Sequence, residues 1–306
     1  MKKNQSPGFY FLAFVIALLV ALLLAALLAA PVQALIRPVK EAALHRVFTR
    51  IAEIGLFAGT WWLLSRLRLF DRRLLGYGVP PGVFLRRFGA GFGGGLAMMI
   101  AVILPLFALD LRELRPHLGD GLSLLVTHGP AAVLTGLGVA LVEESYFRGA
   151  LQGAMTRRGA MTAALTVVPV LYAAVHFVGE TVRIPTAEVH WWSGFVVLRG
   201  FFAAFADPGH IWDAFLALWF VGVLLGVVRH RTGDIAASIG LHAGFVAVIV
   251  FLRAVSDPET GGRWSWLVGP YDGLLGIWIA AVSAVACVLF WRWPPPRRQK
   301  GLAITK

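Results

Sequence analysis

A single cysteine in 306 residues excludes an internal disulfide, a CxxC metal site and a redox thiol pair, so Cys287 is read as an inert core residue. Charge is almost as scarce. Only 14% of residues are charged while 58% are hydrophobic, and the mean hydropathy of +0.75 is more than a water-soluble domain tolerates. No repeat with a period of 20 to 50 residues is visible, which sets solenoids and propellers aside. No polar segment is long enough to fold as a soluble domain.

What remains is a succession of apolar runs of the length that crosses a bilayer. They centre on eight spans, Phe9 to Ala30, Ile51 to Leu64, Phe88 to Leu109, Leu124 to Leu151, Ala160 to Val178, Ile211 to Val228, Ile235 to Leu252 and Gly273 to Phe290, the second being short. The expected fold is therefore an all-α polytopic membrane helix bundle of about eight transmembrane helices. It divides into N-terminal helices (1–123), a core (124–252) and a final helix with a basic tail (253–306). The first apolar run is longer than a signal peptide's, which favours a retained anchor despite Lys2 and Lys3 before it.

A net charge of +12 would suggest nucleic acid in a soluble protein, but here the basic residues sort by loop. With the N-terminus inside, 17 fall on the cytoplasmic side and 10 outside, with Arg148 left in the membrane. That bias places both termini in the cytoplasm and makes nucleic acid an unneeded partner. The third span opens with Gly89, Gly91, Gly93, Gly94 and Gly95, a spacing that lets a neighbouring helix come close or, as a weaker reading, forms a dimer face. The aromatic connection from Gly179 to His210 reads as an interfacial or re-entrant helix, with a lid as the alternative.

Chemistry is expected where ionisable groups sit in apolar helix. Each charge near a bilayer centre costs about 2.5–3.5 kcal/mol, so such groups usually serve a pathway or a reaction. Glu143 and Glu144 lie side by side in the fourth span. Arg148 stands at i+4 from Glu144 in the orientation that favours an ion pair. Glu143, about 100° away around the helix, is left as the free carboxylate, able to take a proton from water. Glu143 lies 16 residues before Gly159 and His176 17 after it, so a helix hairpin turning there sets them level, about 25 Å from the turn. The polar stretch Ser145 to Arg158 projects beyond the bilayer, which puts Glu143 about 10–15 Å below the inner surface, and His242, eight residues beyond Asp234, falls at a similar depth of about 12 Å, whereas His128 lies about 22 Å along the helix from Glu143 and outside the group. A purely structural polar network is the plainer reading, but two acids, an arginine and two histidines exceed what helix packing requires. An intramembrane proton relay or transporter also uses such residues. The inverted repeats and matched broken helices of transporters are not evident.

This pattern resembles the CPBP family, the CAAX-processing proteases and bacteriocin-processing enzymes. Its EExxxR motif is matched by Glu143, Glu144 and Arg148, and its FxxxH motif by Tyr172 and His176. Its last motif, a histidine followed four residues later by Asn or Asp, is matched at His242 alone, because Val246 holds the polar position. The resemblance covers Leu124 to Phe251. It implies a CAAX-type intramembrane endopeptidase of the bacterial inner membrane, acting on a membrane-protein segment or C-terminal peptide that reaches a cavity open to the cytoplasm. It also implies that Glu143 activates water, that His176 orients it and that His242 assists at the oxyanion, with Glu144 and Arg148 in support. The family name includes metalloprotease. Glu143, His176 and His242 would suffice for a three-ligand zinc site, while a metal-free glutamate and histidine mechanism fits the same residues. A non-catalytic scaffold or bacteriocin-immunity protein is the alternative function. The resemblance gives no oligomeric state.

Overall fold

The computed structural model describes residues 6–39, 41–116, 120–179, 182–259 and 261–292. Lys2, Lys3, Lys40 and the tail 293–306, which entered the topology argument, lie outside these residues. The chain folds as an integral membrane bundle of α-helices. Helix α1 spans Pro7–Ile36, α2 Leu44–Arg66, α3 Pro81–Ala108 and α4 Gly121–Glu144, which runs on as a π-helical stretch, Ser145–Gln152, and a short α5, Gly153–Thr156. Then follow α6 (Met161–Val175), α7 (Ser193–Phe201), α8 (Pro208–Thr232), α9 (Ala236–Val255) and α10 (Ile277–Arg292). Two three-residue strands, β1 (Arg112–Leu114) and β2 (Ser256–Pro258), pair antiparallel and tie the end of α3 to the end of α9.

Each of the eight predicted apolar runs is occupied by a helix, and six helices are long and apolar enough to cross a membrane. Helices α6 and α10, at 15 and 16 residues, rise about 22–24 Å, short of a hydrocarbon core of about 30 Å. The short second run underestimated its helix. Polar His45, Arg46, Arg50 and Glu53 lower the hydropathy of the first turns of α2 without interrupting its backbone hydrogen bonds. Local signals set the other ends. Ser6 accepts the Phe9 N–H with Pro7 in the first turn of α1, and Asp120 caps α4 through Ser123 N. Gly233, with φ +80°, ends α8, and Asp234 at once caps α9 through Ala236 N.

Helix α9 is the central element, pressed between α3 and α4. A Cβ added at Gly91 or Gly95 of α3 would collide with the carbonyls of Ala237 or Leu241, and one at Gly240 or Gly244 of α9 with those of Phe88 or Phe92. Gly136 makes the same allowance on α4, where a Cβ would meet Ala243 O at 2.5 Å. Gly91 and Gly95 thus serve packing within the chain, while Gly89 and Gly93 face open space. Replacing Gly95 with Leu forces α3 away from α9 and should destabilise the fold by about 1–3 kcal/mol or more. An unchanged thermal unfolding midpoint of the detergent-solubilised variant would contradict this arrangement.

The 179–210 connection carries α7. Its α7 docks on α1 and α2, where Val197 and Phe201 are buried with Ala25, Ala26, Ala29 and Phe48. At the other end of the molecule, the loop between α2 and α3 packs beneath the π-helical stretch. Gly149 and Gly153 leave room for the carbonyls of Leu75 and Leu74, and Arg229 donates to Leu74 O at 3.0 Å. Asp71 shapes that loop, its carboxyl held below the usual range by the N–H groups of Leu74 and Arg73.

Candidate active site

The five predicted residues are carried by three elements that converge on one level. α4 and its π-helical extension bring Glu143, Glu144 and Arg148, the end of α6 brings His176, and α9 brings His242. π-Helical turns inside α-helices are rare and frequent at functional sites. Here the altered winding begins directly after Glu144. The hairpin that returns the chain turns at Gly159, with φ +78°, as the spacing of Glu143 and His176 requires.

Glu144 and Arg148 form the buried base of the site, with 0% and 1% of their side chains exposed. Arg148 Nη1 lies 3.0 Å from Glu144 Oε1, a charge contact without hydrogen-bond alignment, and its Nη2 donates to Gly222 O at 3.1 Å. The guanidinium also lies 4.4 Å from the centre of the Tyr172 ring. Gly222 is needed on α8 because a Cβ there would press against Pro169 and Tyr172, at 2.9 and 3.0 Å. Gln152 repeats the contact one turn on, donating to Gly226 O at 3.0 Å.

The imidazoles stand above this base. His242 Nδ1 lies 3.0 Å from Glu144 Oε1, and its Nε2 is 3.9 Å from Glu143 Oε2. His176 Nδ1 lies 2.7 Å from the carbonyl of Tyr172, and its Nε2 is 4.0 Å from the same Glu143 oxygen. A carbonyl only accepts, so His176 must carry its hydrogen on Nδ1. The carboxylate of Glu144 imposes the same tautomer on His242. Both Nε2 atoms are then the ring atoms turned toward Glu143. Glu143 is about a quarter exposed, and its Oε2 has no hydrogen-bond partner among the described residues. Separations of 3.9–4.0 Å are too long for direct hydrogen bonds and suit two groups sharing one water.

A cavity of about 270 Å³ opens from these groups. It follows one face of α9 through His242, Phe245, Val246, Ile249, Val250 and Arg253, the three-and-four spacing of a helix stripe. Arg253 stands eleven positions beyond His242, about 16 Å along the axis. Arg253 is tied there to Asp272 at 2.6 Å. The cavity therefore runs toward the ribbon end of the bundle and away from Asp234. On the Asp234 side the packed α2–α3 loop and the Gln152 and Arg148 contacts with α8 close the bundle. His128 and α7 do not line the cavity.

Zinc would demand a tighter donor set than this one. Bonds of about 2.0–2.1 Å at tetrahedral angles place neighbouring donor atoms about 3.3 Å apart. The Glu143 to imidazole separations are wider, and no group of three His, Cys, Asp or Glu among the described residues is arranged to hold a metal ion. The residues as placed do not fit zinc.

Sequence reasoning missed the π-helical winding, the carbonyls of Gly222 and Gly226 as acceptors, and the Tyr172 ring as the shelf beneath both histidines. Its ring centre is 4.6 Å from that of His176 and 6.1 Å from that of His242. The Tyr172 to His176 spacing was visible as a motif. Nothing in the spacing of Gly222 and Gly226 announced their partners. Residues 127–248 match the family model described as type II CAAX prenyl endopeptidase, Rce1-like. No curated protein and no solved structure matches the chain.

Proposed function

We propose that this chain, whose match to the CAAX endopeptidase family over residues 127–248 supports a CPBP-type intramembrane protease, hydrolyses a peptide bond of a membrane-associated protein at the site formed by Glu143, His176 and His242. The observation that carries this reading is the convergence of two fixed imidazoles on Glu143 Oε2, at 3.9 and 4.0 Å. A water lying between them, about 2.8 Å from each partner, gives up a proton to Glu143 while its oxygen attacks the scissile carbonyl carbon. When the C–N bond breaks, Glu143 returns that proton to the leaving nitrogen. The imidazoles orient the water. Glu144 fixes the His242 ring, and Arg148 neutralises Glu144 so that the site carries one basic carboxylate rather than two.

The substrate in this reading is a membrane-protein segment or C-terminal peptide lying along the α9 face. The apolar wall of Val246, Ile249 and Val250 favours apolar residues next to the cleaved bond. Comparative proteomics of membranes containing wild type or Glu143→Gln would identify the substrate. Uncleaved precursors should accumulate with the variant, and identical membrane proteomes would defeat the proteolytic reading.

The mechanism proposed is metal-free. Incubation with EDTA or 1,10-phenanthroline should leave turnover within about twofold of its starting value, because no ligand set is being emptied. Stoichiometric zinc in the purified protein, with activity lost on its removal and regained on its return, would overturn this.

A further inference from the structure

Glu143 and both histidines occupy one end of the cavity, and the wall of its other half is mostly apolar, with Val246, Ile249 and Val250 on α9 facing Leu275 and Ile279. Two polar side chains interrupt that wall, Ser283 of α10 and Arg253 of α9. Both lie beyond the family-matched residues 127–248. Helix α10 descends from the ribbon end, where Asp272 holds Arg253, to Trp291, which stacks on His230 at the end of α8. Ser283 stands six positions beyond Ile277, about 9 Å into α10, which sets it between Arg253 and the site.

Each of the two has unused hydrogen-bonding capacity. Ser283 is 0% exposed and its Oγ has no partner among the described residues, a costly state for a hydroxyl in apolar surroundings. Three arginines gather at the ribbon end. Arg112 is buried and engaged through all its nitrogens by Ser256 and the carbonyl of Gly273, and Arg115 grips Asp257 with Nε and Nη2. Arg253 gives only Nη2 to Asp272, while its Nε and Nη1 make no hydrogen bond among the described residues. A guanidinium with two nitrogens free at the end of an apolar trough suits a carboxylate, which accepts two parallel N–H bonds. Accepting hydrolysis at Glu143, we propose that Arg253 anchors the free C-terminal carboxylate of the peptide being cleaved, while the Ser283 hydroxyl donates to a backbone carbonyl between that terminus and the scissile bond.

The spacing sets the register. The 16 Å of axis from His242 to Arg253 is the rise of about five extended residues, and a long helical side chain leans back toward the helix N-terminus. The carboxylate therefore falls about three to five residues after the cleaved bond. Beneath the site, Glu144, Arg148 and the contacts of Arg148 with α8 close the way, so the chain beyond the bond follows the trough along α9. Asp272 does not exhaust the positive charge at its end. The N–H groups of Leu274 and Leu275 also hold its carboxylate, and the nearby Arg112, whose own contacts are with neutral groups, acts on it as well. A chain that continued past Arg253 would bring no anion to the free guanidinium edge.

The full-length protein in lipid vesicles would be assayed on a quenched fluorescent peptide copied from the cleavage site of a precursor that accumulates with Glu143→Gln. The peptide ends about four residues after the bond as a free acid, as a C-terminal amide, or continued by further residues. Wild type should cleave the acid with kcat/KM about tenfold or more above that of the other two. Arg253→Gln should lower kcat/KM for the acid to that of the amide, and Arg253→Lys should keep part of the preference. Neither should change the melting temperature, because the Arg253 side chain is 55% exposed and its ion pair adds little to the fold. Ser283→Ala should raise KM for acid and amide alike by about two- to tenfold, while the empty protein melts no lower than wild type. Equal cleavage of acid and amide by wild type, or an equal loss on both in Arg253→Gln, overturns the anchor. Glu143→Gln in the same assay separates the two claims. If it is dead while wild type is indifferent to the terminus, only the anchor is wrong, and if it is active, the hydrolytic reading on which the anchor rests falls first.

Discussion

Glu143→Gln should lower turnover about 100- to 10,000-fold while leaving a folded protein, the range by which a positioned base accelerates proton transfer. The substitution is nearly isosteric and removes only basicity. Glu143 carries little of the fold, since it is partly exposed to the cavity and its Oε2 bonds to no described residue, so the melting temperature should stay close to that of wild type. The comparison with Glu144 sharpens the test. Glu144 is fully buried and holds both Arg148 and His242, so Glu144→Gln should act first on stability and ring orientation. Wild-type turnover by purified Glu143→Gln would remove the general base from the mechanism, and with it the reading of the site as hydrolytic.

The second large effect is on folding. Arg148→Met leaves the Glu144 carboxylate buried without its cation, and breaking one side of such a pair typically costs about 3–5 kcal/mol. It also removes the hydrogen bond to Gly222 O and the cation from the Tyr172 ring, so α4, α6 and α8 lose a shared anchor. Little folded protein should survive detergent extraction at temperatures where wild type is intact. The double variant Glu144→Leu with Arg148→Met removes the uncompensated charge and should regain much of the stability, since apolar replacements of buried pairs are often neutral or better. It should nevertheless stay inactive, because His242 loses the partner that fixes its tautomer. Equal instability of the single and double variants would show that Arg148 acts through packing rather than through its charge.

Much of this was legible along the chain because membrane insertion writes itself into composition. Apolar runs located α1 to α4, α6 and α8 to α10, and a carboxylate in such a run is costly enough to stand out without any knowledge of its neighbours. The alignment of Glu143 with His176 was also readable, because a hairpin with a turn at Gly159 converts sequence distance into depth at a fixed rise per residue. Helix lengths were less secure. In α2 the polar first turns hid a continuous helix, and in α6 an apolar run broad enough for a span holds a helix of only 15 residues.

The sequence by itself determined that this is an all-α membrane protein with an ionisable cluster on its fourth, fifth and seventh apolar segments, because hydropathy and intrahelical spacing are local properties. Only the tertiary structure decided which oxygen of which glutamate the imidazoles share, which ring nitrogens carry hydrogen, and that the cavity runs along α9 toward Arg253. Those features depend on α9 being pressed between α3 and α4 by glycines far apart in sequence, and on carbonyls of α8 that meet Arg148 and Gln152. Distances between side chains on different helices arise from packing, and no one-dimensional spacing encodes them.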